Sequence, residues 1–415
     1  MTNKTAQQKI PRGYKETKIG LIPKDWNCVR LDDMGSLSKG AGISKSEVQE
    51  NGFPAVRYGE LYTCYDTQIN RVHSFINETS ASNSKVINCG DILFAGSGET
   101  IDEIGKSAVY LGNDKAYAGG DIIIFSPKNR DSLCLAYLLN GQIVRRELRR
   151  LGQGQSVVHI YKSDISKLYL PIPPLPQQKK ISKILSEWDS AILNIEKLIS
   201  AKRKFKKALM QQLLTGKRRF KEFKNQPWKE YHLDDLFKER KEAGREDLPL
   251  LAITSDRGVI YREEVDRKDS SSDDKSKYKN IMPGDIGYNT MRMWQGVSAL
   301  STIEGIVSPA YTICVPYENM IDGLFASCFF KYPPIVHLFY RYSQGLVSDT
   351  WNLKFPNFAQ IKVAVPSLEE QKQIASVLTD YDKDIGLLNQ HLELLKQQKR
   401  GLMQKLLTGK IRVKV

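Results

Sequence analysis

Apolar residues recur every three or four positions along two long stretches of this chain. In the second stretch Ile374, Leu378, Tyr381, Ile385, Leu388, Leu392, Leu395, Leu402 and Leu406 keep the alternation, with Lys399 the one interruption. In the first, the same steps run through Ile181, Leu185, Trp188, Ile192, Ile195, Ile199, Leu209 and Leu213. Lys202 and Lys206 fall on that stripe, and Phe205 stands beside them to cover the gap. Such sustained alternation predicts coiled-coil helices. A proline closes the strand before each, and both end Leu-Leu-Thr-Gly, which places Gly216 and Gly409 as left-handed caps. From about Gln177 to Leu214 the helix would be roughly 55–60 Å long at about 1.5 Å per residue.

The two helices are one segment written twice. Residues 172–220 align without a gap on 365–413; Leu209-Met210-Gln211-Gln212-Leu213-Leu214-Thr215-Gly216-Lys217 sits over Leu402-Met403-Gln404-Lys405-Leu406-Leu407-Thr408-Gly409-Lys410. A repeat of this length outranks any local motif. The parts between are duplicated more loosely. Trp26 to Asp33 answers to Trp228 to Asp235, and Gly90-Asp91-Ile92 to Gly284-Asp285-Ile286. Tyr117-Ala118-Gly119-Gly120 answers to Ile306-Val307-Ser308-Pro309. Leu133–Arg150 and Leu324–Tyr342 read as amphipathic helices, the second broken at Pro333-Pro334, and each precedes a Gln-Gly turn. Short β-branched and aromatic runs between Gly, Asn, Asp and Ser clusters supply strands and loops. The expected order is globule (1–172), helix (173–216), globule (217–365), helix (366–415).

Composition narrows the class. With 415 residues and 41% hydrophobic content there is material for two cores. No apolar run approaches a membrane span, and the first residues do not form a signal peptide, so a cytoplasmic location is expected. The six cysteines lack metal-site spacing and read as buried reduced thiols, and the five histidines are scattered; no metal is expected. A net charge of +15 points to an anionic partner, most often nucleic acid, and is concentrated between Lys179 and Arg219.

Enzyme motifs fail on inspection. Phe94-Ala95-Gly96-Ser97-Gly98 imitates the loop that cradles S-adenosylmethionine, but Glu99–Tyr110 has no helical stripe to follow it. Tyr332-Pro333-Pro334-Ile335 lacks the acid or amide that would bind a base amino group, and the matching loop Tyr288–Trp294 has no glycine. No phosphate-binding Walker loop is present. The chain reads as a binder without chemistry of its own.

The layout resembles the specificity (S) subunit of type I restriction–modification enzymes over essentially the whole chain. The resemblance is carried by the twin helices ending Leu-Leu-Thr-Gly-Lys and by Gly20-Leu21-Ile22-Pro23-Lys24-Asp25-Trp26 and Gln226-Pro227-Trp228. It is carried too by Gly90–Leu93 with Gly96-Ser97-Gly98-Glu99-Thr100, and by Tyr117-Ala118-Gly119-Gly120-Asp121. It implies an α+β fold: two similar mixed α/β target-recognition domains separated by two long antiparallel coiled-coil helices, a pseudo-twofold tandem repeat. It implies a non-catalytic DNA-binding subunit of an adenine-methylating complex that defends against foreign DNA. Its partners would be double-stranded DNA, two methyltransferase (M) subunits and two restriction/translocase (R) subunits. S-adenosylmethionine, ATP and Mg would sit on those partners, with no cofactor on this chain. Alternatives are a stand-alone architectural DNA-binding protein, or an atypical system whose partner fuses methyltransferase and nuclease.

An antiparallel pair of equal helices would put one globule at each end and present the two to opposite strands, as symmetric dimers do on palindromes. Because the globules differ, the site should be asymmetric and interrupted. Base readers should be polar side chains on loops, with Lys and Arg on phosphates. The candidates in the first globule are Arg57, Tyr58, Ser97, Glu99, Thr100, Tyr117, Gln153, Gln155 and Ser156. In the second they are Arg257, Asn289, Arg292, Trp294, Ser308, Gln344 and Ser348.

Overall fold

The computed structural model describes residues 10–154, 157–266 and 272–415. Gln155 and Ser156 lie outside them. By contact the chain divides into two compact units, Met1–Asn194 with Leu392–Val415, and Ile195–His391. Each therefore owns part of each long helix. Those helices run Leu175–Leu213 and Leu368–Leu406, 39 residues apiece. Proline is tolerated at Pro176 because the first turn has no intrahelical acceptor for its missing N–H.

The pairing is antiparallel, and the lysines on the apolar stripe show how. In the second unit Lys202 pairs with Asp384 at 2.8 Å and Lys206 with Asp382 at 2.5 Å, so one number rises as its partner falls. In the first unit Lys399 pairs with Asp189 and, at 2.8 Å, with Asp66. Lys399 is thus not an interruption of the stripe but a buried member of it, neutralised across the helix pair. Polar residues at such positions fix register at some cost in stability. Phe205 packs its ring 5.5 Å from Tyr381, beside Lys202 and Lys206.

Helix starts and ends repeat nearly atom for atom. The Gln178 amide donates to the Pro173 carbonyl at 2.8 Å and accepts from the Asp131 N–H at 3.0 Å. Gln371 does the same with Pro366 at 2.9 Å and Asp322 at 2.9 Å. Gly216 and Gly409 take φ of 67° and 70°, the left-handed caps expected. At Gly409 a Cβ would stand 2.2 Å from Pro23, so the helix end lies directly on the strand Gly20–Pro23 of its unit.

In the first unit the central sheet orders Gly35–Lys39, Ile122–Pro127, Ile92–Ala95, Ser107–Tyr110 and Gln68–Ile69. In the second the order is Phe237–Glu239, Tyr311–Pro316, Ile286–Asn289 and Ser298–Leu300. The first four strands correspond. The third strand of each order follows a Gly-Asp turn: Gly90 and Gly284 have φ of 96° and 93°, and Asp91 and Asp285 each accept a turn N–H at 2.8 Å. The strand before each long helix pairs with the unit's leading strand, Tyr169–Ile172 with Asn27–Arg30 and Lys362–Val365 with Lys229–His232. A further sheet of the first unit joins Val48–Gln49, Ser74–Ile76, Phe53–Val56, Ala116–Ala118 and Lys85–Ile87. The second unit has the hairpin Leu251–Thr254/Gly258–Tyr261 and the pair Lys279–Ile281/Gly305–Val307 instead.

Two sequence expectations are corrected. Leu133–Arg150 is not one helix but two, Ser132–Leu139 and Gln142–Leu151. The break follows from Asn140, whose side chain caps the first helix at the Ala136 carbonyl and bonds both the N–H and the carbonyl of Ser107. The cysteines are unpaired thiols, but only Cys134 and Cys314 are buried; Cys64 and Cys89 are exposed.

Candidate nucleic-acid interface

In the second unit four of the seven predicted residues line one open cleft of about 840 Å³: Arg257, Asn289, Arg292 and Ser308. Local rules place each. Arg257 sits in the hairpin turn closed by Gly258 at φ 77°, where its N–H donates to the Thr254 hydroxyl at 3.0 Å. Its guanidinium donates to the Glu264 carbonyl at 3.1 Å. Asn289 ends its strand, and its side-chain oxygen accepts from the Met291 N–H at 3.0 Å, turning the chain so that Arg292 is exposed. Ser308 accepts from the Ala310 N–H at 3.4 Å. Sequence reading missed Arg262, Gln295 and Tyr311, which line the same cleft. Three arginines against Asp256 and Asp266 give its wall a positive excess suited to anions, with the amides of Asn289 and Gln295 beside them.

The other three predicted residues border the same turn. Trp294 donates its indole N–H to the Met291 carbonyl at 3.0 Å and meets Trp351 edge-on at 5.2 Å. Gln344 and Asn352 exchange backbone hydrogen bonds of 2.8 Å each, closing a loop that carries exposed Ser348. Leu353 donates to the Thr290 carbonyl at 2.8 Å, fastening that loop to the 290–295 turn.

The first unit repeats the frame with different residues. Gln153 and His159 exchange backbone bonds of 2.9 and 2.7 Å, and Ile160 donates to Gly96 at 3.0 Å. Within this frame Ser97 is buried in the short strand Ser97–Gly98, its hydroxyl 2.9 Å from His159 Nδ1. It braces the loop rather than standing free on it. Glu99 and Thr100 are exposed, with both N–H groups donating to Glu103 at 3.1 Å. Arg145 ties this loop down by donating to the carbonyls of Ile104 and Asp102, and burial pushes its guanidinium down to about 10.

Arg57, Tyr58 and Tyr117 form a separate group. Arg57 is engaged by Glu60 at 3.1 Å, and Tyr117 packs edge-on against Phe53 at 6.0 Å on the neighbouring strand. Tyr58 is exposed, its ring 6.3 Å from Tyr62. Sequence reading missed Lys39 and Lys162, which flank Ser97 and His159 in a small cleft of about 80 Å³. Nothing local in the sequence links positions so far apart. Among the described residues no His/Cys/Asp/Glu group has the arrangement of a metal site, and no helix is long and apolar enough to cross a membrane.

Known proteins share this architecture. The "Putative type I restriction enzyme MjaX specificity subunit" of Methanocaldococcus jannaschii is 27% identical over 97% of this chain and 97% of its own. The MjaVIII specificity subunit of the same organism is 27% identical over 97% and 96%. Among solved structures, the type I restriction–modification S subunit from M. genitalium superposes with a TM-score of 0.59 at 16% identity, over 96% of this chain and 98% of that one. The sequence profile described as "Type I restriction modification DNA specificity domain" matches residues 23–203 and 332–397. With a duplicated frame, twin 39-residue helices and that profile covering more than half of its length, the chain belongs to the type I restriction–modification DNA specificity family.

Proposed function

We propose that this chain is the sequence-reading subunit of a type I restriction–modification complex, with each globular part, residues 1–172 and 217–365, reading one half of an interrupted, asymmetric DNA site. One observation carries the reading: the same loop frame occurs twice with different residues upon it. Gln153–His159 and Gln344–Asn352 close equivalent loops, Gly96 and Thr290 accept equivalent bonds, and the side chains around them share almost nothing. A duplicated scaffold with divergent faces fits two different half-sites.

The long helices set the gap and dock two M subunits, which bring S-adenosylmethionine and methylate adenine in each half-site. R subunits would add ATP- and Mg-dependent translocation and cleavage, all in the cytoplasm. Leu193 and Leu394 in one unit and Leu198 and Leu387 in the other stand exposed on these helices, apolar surface of the kind a partner covers. Co-expression with a type I methyltransferase subunit, followed by native mass measurement, should give one copy of this chain with two M subunits. A chain that stays free overturns the M-subunit reading, and a complex holding a single M overturns the stoichiometry.

A further inference from the structure

The Gln-Gly loop of the second unit carries the most exposed large apolar side chain among the described residues. Leu346 is 99% exposed and Val347 beside it 58%. Scattered surface leucines need no explanation, but this one is held out by a braced loop. Gly345 has φ 140°, and a Cβ there would stand 2.6 Å from the Thr350 carbonyl, so only glycine allows the turn. The Val347 N–H donates to the Thr350 hydroxyl at 3.2 Å. Trp351, at the base, is clamped edge-on between Trp294 at 5.2 Å and Tyr340 at 4.9 Å. The base of the loop is thus fixed by hydrogen bonds and ring packing, which lowers the entropic cost of using the tip.

What it meets is indicated by its neighbour. The turn fastened to this loop through Leu353 and Thr290 carries Met291, 46% exposed, next to Arg292, which lines the arginine cleft. The arginine cleft and the base of this loop are therefore joined through one turn. An anionic partner with an apolar interior is a duplex, whose phosphates suit the cleft and whose base stack accepts an aliphatic wedge. The first unit keeps the same frame, with Gly154 at φ 121° and Val157 exposed on its loop.

We propose, resting on the DNA-reading function above, that Leu346 is a wedge that enters and unstacks one base step of the half-site read by the second unit. Inserting it costs stacking at that step and returns burial of the leucine together with a bent duplex that meets more of the cleft. The wedge sets specificity indirectly, since flexible pyrimidine–purine steps open more easily than others.

The test uses the complex assembled with co-expressed M subunits. The duplex carries the site defined by methylation sequencing, with 2-aminopurine placed at each position in turn except the methylated adenines. Fluorescence should rise several-fold at one step of one half-site. Leu346→Ala should abolish the rise and weaken binding about tenfold, while Leu346→Met should retain both. Leu324→Ala, at an exposed leucine away from the loop, should change neither. Unchanged thermal unfolding of each variant shows that folding is not at issue. Tight binding with no rise at any position overturns the wedge and leaves the DNA-reading function intact. A wild-type complex that binds no duplex overturns that function itself. Loss of M subunits from Leu346→Ala would make the tip a protein contact and also overturn the wedge.

Discussion

In the first unit the arginine that follows a long helix, Arg412, clasps Asp25 at 2.7 Å with both side chains about half exposed, 41% and 44%. In the second unit its repeat-mate Arg219 clasps Glu370 at 2.5 Å with 13% and 1% exposed. The interhelical pairs reverse the order. Lys399 and Asp189 in the first unit are 8% and 13% exposed, whereas their repeat-mates Lys206 and Asp382 are 22% and 56%. The same two positions are filled in both units, but each unit buries a different one. The acid of the clasp has also changed sides: Asp25 precedes Trp26, while Pro227 stands in that place and Glu370 sits where the first unit has Gln177. One consequence is visible at the paired tryptophans. Trp26 donates to Gln177 at 3.1 Å, but the buried indole N–H of Trp228 has no partner among the described residues. Duplication thus preserved geometry while the energetic weight moved between equivalent contacts.

Substitutions should separate these weights. Glu370→Gln removes a buried charge opposite a partly buried guanidinium and should cost about 3 kcal/mol, read as a clear fall in denaturation midpoint. It also offers Trp228 the acceptor that Gln177 gives Trp26, which will not offset a stranded charge. If the cost proves no larger than that of Asp25→Asn, the ranking of the clasps is wrong.

Lys399→Leu comes next. It leaves Asp189 facing Tyr137, whose hydroxyl still donates to it, so about 2 kcal/mol is expected. Burial already raises the Asp189 carboxyl, chiefly against the pull of Lys399, and loss of the lysine raises it further. A carboxyl raised on folding binds its proton more tightly in the folded state, so the variant's deficit should shrink as pH falls through that raised value. Chemical denaturation of variant and wild type across mildly acidic pH checks the sign. A deficit that grows on acidification contradicts it. Lys206→Leu, at the more exposed equivalent, should cost under about 1 kcal/mol.

The smallest effect belongs to Asp25→Asn, again under about 1 kcal/mol at neutral pH. The Arg412 hydrogen bond, against the opposing pull of burial and with help from Gln177, holds the Asp25 carboxyl below its usual range. A depressed carboxyl contributes stability above its unfolded pKa and loses it as pH falls through the folded one. Wild type and variant should therefore converge in strong acid, as thermal unfolding against pH will show.

The sequence made the repeat and the helix caps legible because both rest on local chemistry: a three-four stripe, and a glycine obliged to turn left-handed at Gly216 and Gly409. It misplaced what depends on distant partners. Lys399 reads as a flaw in a stripe until Asp189, far away in the chain, is seen opposite it. Asn140 ends a helix because Ser107 lies beside it in the sheet. Among the candidate readers, Arg257, Asn289, Arg292 and Ser308 share a cleft because each is fixed by a turn with its own sequence signal. Ser97 and Tyr117 also carried turn-like surroundings, but strand pairing drew them into packing, and pairing partners are not written locally.

The central claim is that the two globular parts read separate half-sites. Exchange of residues 1–172 for the equivalent part of a relative, followed by methylation-sensitive sequencing of DNA from cells expressing the assembled complex, tests it most directly. The account predicts that one half of the methylated motif changes while the other half and the gap remain. A motif in which both halves change, or neither does, would contradict it.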